Sequence, residues 1–105
     1  MKNKVLVDFE VIENLTKLDK KNLIERALKL SEEVGEVSEA ILSYSNACGC
    51  GYKNKDKKDV IEECLDVIIV ATSLISQVSD NDVDEKLVEE LYSKKINKWK
   101  QKSEE

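Results

Sequence analysis

A chain of 105 residues that is 41% hydrophobic and 37% charged, with three glycines and no proline, lacks the turn residues that a sandwich or barrel needs. It favours long helices in one domain, residues 1–105. The net charge of −5 excludes a broad electrostatic grip on nucleic acid.

The N-terminus, MKNKVLVDFEVIENL, has no apolar core long enough for a signal peptide. The uncharged run at residues 67–79 is too short and too polar to span a membrane. The expectation is a cytoplasmic protein with no membrane partner. Cys48, Cys50 and Cys64 are an odd number and read as free thiols in a reducing compartment.

In chain order, Phe9, Ile12, Leu15 and Leu18 recur at helical spacing and predict a first helix over 8–18. The polar segment 19–22 interrupts it with cap-forming residues. A second helix follows over 22–44, with Leu23, Ala27, Leu30, Val34, Val37 and Ile41 on one stripe. Residues 45–56, SNACGCGYKNKD, have no periodicity and read as a loop.

The third helix is predicted over 57–79. Val60, Cys64, Val67, Ala71, Leu74 and Val78 form a wide stripe, and Cys64 reads as a small core residue. Asp82 with Glu85 resembles a capping box for a fourth helix over 83–102, which carries Leu87, Leu91, Ile96 and Trp99. The alternating aspartates 80, 82 and 84 start like a calcium loop. Glu85 and Leu91 stand where such a loop needs glycine and glutamate, so a helix cap is the better reading. Four helices with short connections predict an all-α, four-helix bundle-like fold. Small size and wide apolar stripes predict self-association, with Trp99 either at a subunit interface or holding down the last helix.

The chemistry sits on the two central helices. Around the second, Glu33 lies about 80° from the centre of the apolar stripe, Glu36 about 140° and Glu32 about 180°. Glu33 is therefore on the shoulder of the core face, while Glu32 and Glu39 point to water. On the third helix, Glu63 has Val60, Val67, Val70 and Leu74 as its helical neighbours, and Asp66 follows one turn on. An unpaired buried carboxylate costs several kcal/mol unless protonated, paired or metal-bound. Neither stripe holds a lysine or arginine, so the compensating cation has to come from elsewhere.

If the two helices pack antiparallel, Glu33/Glu36 and Glu63/Asp66 face one another, and a divalent cation relieves their repulsion. The chain has no histidine, which argues against di-iron and catalytic zinc sites. All-oxygen ligation suits Mg2+, with Mn2+ as a substitute. Cys48-Gly49-Cys50 has no second cysteine pair and does not make a zinc site. Either acidic motif alone is an ordinary solvated face; their shared placement against core helices is what makes the pattern informative.

Glu32-Glu33-Val34-Gly35-Glu36 followed by Glu63-Cys64-Leu65-Asp66 resembles the paired acidic motifs of the MazG-like nucleotide pyrophosphohydrolases. The resemblance runs from about Leu23 to Ser79. It implies an all-α hydrolase that cleaves a nucleoside triphosphate to the monophosphate and pyrophosphate, uses magnesium and assembles as a homodimer or homotetramer. By the resemblance, Glu33, Glu36, Glu63 and Asp66 are metal ligands. Glu32 holds a second metal or orients the attacking water, making Glu32 and Glu33 the catalytic pair. Positive charge for the substrate is expected from Lys53 and Lys55 in the loop, with Tyr52 stacking on a base, and from Lys95, Asn97 and Lys98 on the last helix. The alternatives are a non-catalytic helical protein that oligomerises or binds a partner, and a related dUTPase or phosphoribosyl-ATP pyrophosphohydrolase.

Overall fold

The computed structural model describes residues 7–46, 49 and 55–104. Four helices follow in order: α1 (Phe9–Leu18), α2 (Leu23–Tyr44), α3 (Lys57–Val78) and α4 (Glu85–Ser103). The fold is all-α and bundle-like, with α2 and α1 both packed on α3.

Local chemistry explains the ends. Asp8 caps α1 by accepting from the Val11 backbone N–H. Asn22 and Glu25 complete a reciprocal capping box on α2, and Asp56 and Asp59 do the same on α3. The last helix differs from expectation. Its cap is Asp84, which accepts from the Leu87 N–H, and not Asp82. The reason lies in the turn before it. Asp80 and Asn81 both take left-handed backbone angles, which short polar side chains tolerate. The Asn81 N–H then donates to the Ser76 carbonyl at 2.7 Å, and the Ser76 hydroxyl donates to the Asn81 side-chain oxygen at 3.0 Å. That turn holds residues 79–82, so the helix starts later.

Three contacts set the register of α2 against α3. The Arg26 Nε donates to Gln77 Oε1 at 2.6 Å, and the Lys55 N–H donates to the Ser43 hydroxyl at 3.1 Å. Between them Glu36 meets Glu63. Paired positions rise on one helix as they fall on the other, so the pair is antiparallel. The α1–α2 corner is tied to the same end, since the Gln77 amide donates to the Lys21 carbonyl at 3.1 Å. At the other edge of α1, Glu13 accepts from the Val83 N–H at 2.8 Å.

Burial departs from the predicted stripes. On α2 the buried side chains are Arg26, Glu33, Ala40 and Ser43. That line lies roughly a quarter turn from the apolar stripe, at ~100° per residue. Leu23, Val34 and Ile41, on the stripe, are exposed. The stripe is geometrically sound, but α3 covers only its edge. On α3 the buried residues are Thr72, Ser73 and Ser76, all with small polar side chains. Thr72 and Ser73 return their hydroxyls to the carbonyls of Ile68 and Val70, which removes most of the cost of burying them. Cys64 is exposed and not the core residue its stripe position implied. No residue of α4 is buried, and among the described residues α4 packs against no other helix.

Candidate metal centre

The α2–α3 register brings three acidic side chains to one place. Glu33, Glu36 and Glu63 each present a carboxylate oxygen, all within 4.8 Å of one another. Glu33 is 6% exposed. Its Oε2 is buried with no hydrogen-bond partner, and so is Oε2 of Glu63. Two orphaned oxygens of this kind are costly, since each forfeits its hydration without gaining a donor.

A cation does approach from within the chain. Lys29 Nζ lies 3.0 Å from Glu33 Oε1 and 3.4 Å from Glu32 Oε1. This corrects the expectation that the acidic side chains have no local cation. Lys29 stands one turn before Glu33, off the apolar stripe yet within i,i+4 reach of the buried carboxylate. That spacing was the signal in the sequence. Arg26 is a second cation on the buried side, engaged with Gln77 and 3.7 Å from Asp19 Oδ2. The Lys21 backbone N–H, with Lys21 and Arg26 charges adding, holds the Asp19 carboxyl below its ordinary value.

The charge balance decides what else the cluster needs. With all groups ionised, three carboxylates share one ammonium that also serves Glu32, which leaves at least two negative charges uncompensated. The strain is visible at Glu36. Its carboxyl is pushed above the usual range, first by sharing a hydrogen bond with Glu63, then by the Glu33 charge and desolvation. Lys29 is pushed up by its hydrogen bonds to Glu33 and Glu32. A divalent cation matches the deficit, and the oxygen-only donor set fits magnesium or manganese.

The remaining expected residues fall as follows. Asp66 is exposed and lies outside the trio. It is about 60° round α3 from Glu63, enough to turn its side chain from α2. Glu32 is exposed and tethered by Lys29. Lys55 is half-buried at the start of α3, on the α2 side of the antiparallel pair. Tyr52 and Lys53 lie outside the described residues, as do Cys48 and Cys50. Lys95, Asn97 and Lys98 are exposed on α4 and are not brought to the trio within one chain. Asn97 and Lys98 line an open polar groove with Lys86 and Glu90, whereas Lys95 sits one turn from Leu91 and Trp99 on the apolar side.

No helix among the described residues is long and apolar enough to cross a membrane. No protein-family model, curated protein or solved structure matches this chain.

Proposed function

We propose that this chain is a Mg2+-dependent nucleoside-triphosphate pyrophosphohydrolase of the MazG-like kind. The observation that supports it most is the trio itself: three convergent carboxylates on two packed helices, two of them with a buried oxygen that no donor reaches. A solvated acidic face does not bury its oxygens.

In this reading Glu33, Glu36 and Glu63 would hold the ion, and Asp66, which faces out from α3, would serve it through a bridging water. When bound, Mg2+ neutralises phosphate charge, polarises the phosphoryl oxygen and lowers the pKa of a coordinated water. Glu32, tethered beside Glu33 by Lys29, would orient a water towards the α-phosphorus and take up its proton. The water oxygen would replace the oxygen bridging to the β-phosphorus, giving the monophosphate and pyrophosphate. Lys29 screens the carboxylates. The resemblance gives phosphate contacts to Lys53 and Lys55 and base stacking to Tyr52; Lys95, Asn97 and Lys98, given the same role, are carried away from the trio by α4 and would need that helix to move. No covalent nucleophile is needed, because phosphoryl transfer rests on positioning and electrostatics.

Pyrophosphate release from a panel of NTPs and dNTPs, with dUTP and phosphoribosyl-ATP included, tests the reading. Release from at least one nucleotide with Mg2+ and none with chelator is expected. Glu63→Gln should abolish turnover while melting temperature in chelator holds level or rises, since like-charge repulsion is relieved. No release from any nucleotide, with no Mg2+-dependent change in melting temperature, sinks the proposal in favour of a non-catalytic helical protein.

A further inference from the structure

We propose that the cavity between α1, α2 and the second half of α3 is a binding site for a small organic carboxylate, and that it shares Lys29 with the acidic trio. The cavity has a volume of about 220 Å³. Sites that bury a whole drug-sized molecule run to roughly 300–1,000 Å³, so this one takes a single ring or a short branched chain. Its walls are aliphatic, with Ile12 and Leu15 from α1 and Ile69 and Val70 from α3. Thr16 and Ser73 add hydroxyls, but each donates back to a carbonyl of its own helix. The charged lining is Asp19, Lys21, Arg26 and Lys29. Three cations against one carboxylate leave it positive.

Arg26 sets the chemistry. It is 5% exposed, and a guanidinium at that depth is costly without an anion. The chain supplies little of one. Its Nε donates to the uncharged Gln77 at 2.6 Å. Its Nη1 lies 3.7 Å from Asp19 Oδ2, beyond hydrogen-bond length. Asp19 is turned to Lys21 instead, accepting from its backbone N–H at 3.0 Å and from its Nζ at 3.5 Å. Among the described residues neither Nη of Arg26 makes a hydrogen bond. A carboxylate held bidentate in the guanidinium fork supplies the missing anion. The aliphatic walls cover a carbon body and offer nothing to further phosphate oxygens, which selects an organic carboxylate over inorganic phosphate.

Lys29 is the wall on the side of the trio. Its Nζ lies 3.0 Å from Glu33 Oε1 and 3.4 Å from Glu32 Oε1, and the same side chain lines the cavity. A carboxylate in the cavity therefore competes with Glu32 and Glu33 for one ammonium. On the reading above, that makes the cavity a regulatory position beside the metal centre, coupled to it through a single side chain. A neutral base with an imide edge is the rival occupant, because Asp19 between Lys21 and Arg26 presents an acceptor flanked by donors. It would leave the Arg26 charge without an anion, so the carboxylate is the better match.

Benzoate is the probe and benzamide its neutral counterpart, both titrated by calorimetry into the full chain in chelator, without nucleotide. Benzoate should bind saturably, and benzamide about tenfold more weakly or worse. Lys29→Met should loosen benzoate roughly three- to tenfold, whereas Glu32→Gln, which frees Lys29, should tighten it. Asp19→Asn should tighten it too, because a like charge leaves the side of the fork. Arg26→Gln should abolish binding, with helical content checked by circular dichroism. The Lys29, Glu32 and Asp19 side chains are 39%, 60% and 39% exposed, so those variants carry the test if the Arg26 variant does not fold. No saturable binding of benzoate overturns the proposal. So does benzamide or inorganic phosphate binding as tightly as benzoate, or a benzoate affinity indifferent to Lys29 and Asp19. Uridine bound in its place, and lost with Asp19→Asn, overturns it in favour of a base pocket. None of these readings involves Mg2+ or turnover, so their failure and that of the pyrophosphohydrolase reading are distinguishable.

Discussion

Glu33 shares one oxygen with Lys29 and leaves the other buried without a donor. Lys29 thus offsets part of the negative charge gathered at the trio. Lys29→Met should lower the melting temperature in chelator, because the repulsion among Glu33, Glu36 and Glu63 is then unscreened. The rise produced by Mg2+ should grow for the same reason, and scanning fluorimetry with and without the ion reads both. For the unmodified chain, Mg2+ at a hundred times its dissociation constant should add about 2.7 kcal/mol of stability. At roughly 4–8 °C per kcal/mol for a domain of this size, that is a rise in melting temperature of about 11–22 °C. A flat response to Mg2+ would mean that the trio does not hold the ion.

Another residue-scale effect lies away from the cluster. The Asp59 carboxyl is held below its ordinary 3.8, chiefly by the Asp56 backbone N–H, with Lys55 and Lys58 adding. A carboxyl depressed in the folded state favours folding wherever it is ionised in both states. Its contribution is therefore complete above 3.8 and is lost as pH falls through the lower folded value. Asp59→Asn should make the acid side of the stability–pH curve shallower, as denaturant midpoints across that range would show.

At the scale of the element, caps and periodicity act locally and were legible. The chain 22–44 announces α2 through Asn22, Glu25 and its stripe, and Asn22→Ala should cost about 1 kcal/mol, with an unchanged denaturant slope. Gly35 is the exception to local logic. A glycine inside a helix costs about 1 kcal/mol relative to alanine, a cost that a close neighbour beside Glu36 would explain. A Cβ built at Gly35 meets nothing within 4 Å. Within one chain the glycine is not accounted for by packing. Gly35→Ala should therefore stabilise α2 by roughly 0.5–1 kcal/mol. The position of the α4 start was misread for an equally physical reason. The Ser76–Asn81 contacts close the preceding turn, and contacts of a turn onto the helix before it do not show in periodicity.

Over the whole molecule, helix existence, helix order and the two acidic motifs were determined by the sequence alone, because spacing of three and four residues, caps and loop residues are all properties of neighbours along the chain. Tertiary structure decided the rest. Which side of α2 is covered depends on where α3 lies, and the covered line runs through Arg26, Glu33 and Ala40, beside the stripe and not along it. The antiparallel register joins Glu36 to Glu63 and leaves Asp66 facing out, a distinction that i,i+3 spacing does not make. Lys29 became part of the cluster only once Glu33 was buried, since an exposed pair of the same spacing contributes little. The apolar stripes were legible as faces that need covering. That one chain covers so few of them is a matter of how the helices are arranged in space, and no residue pattern encodes it.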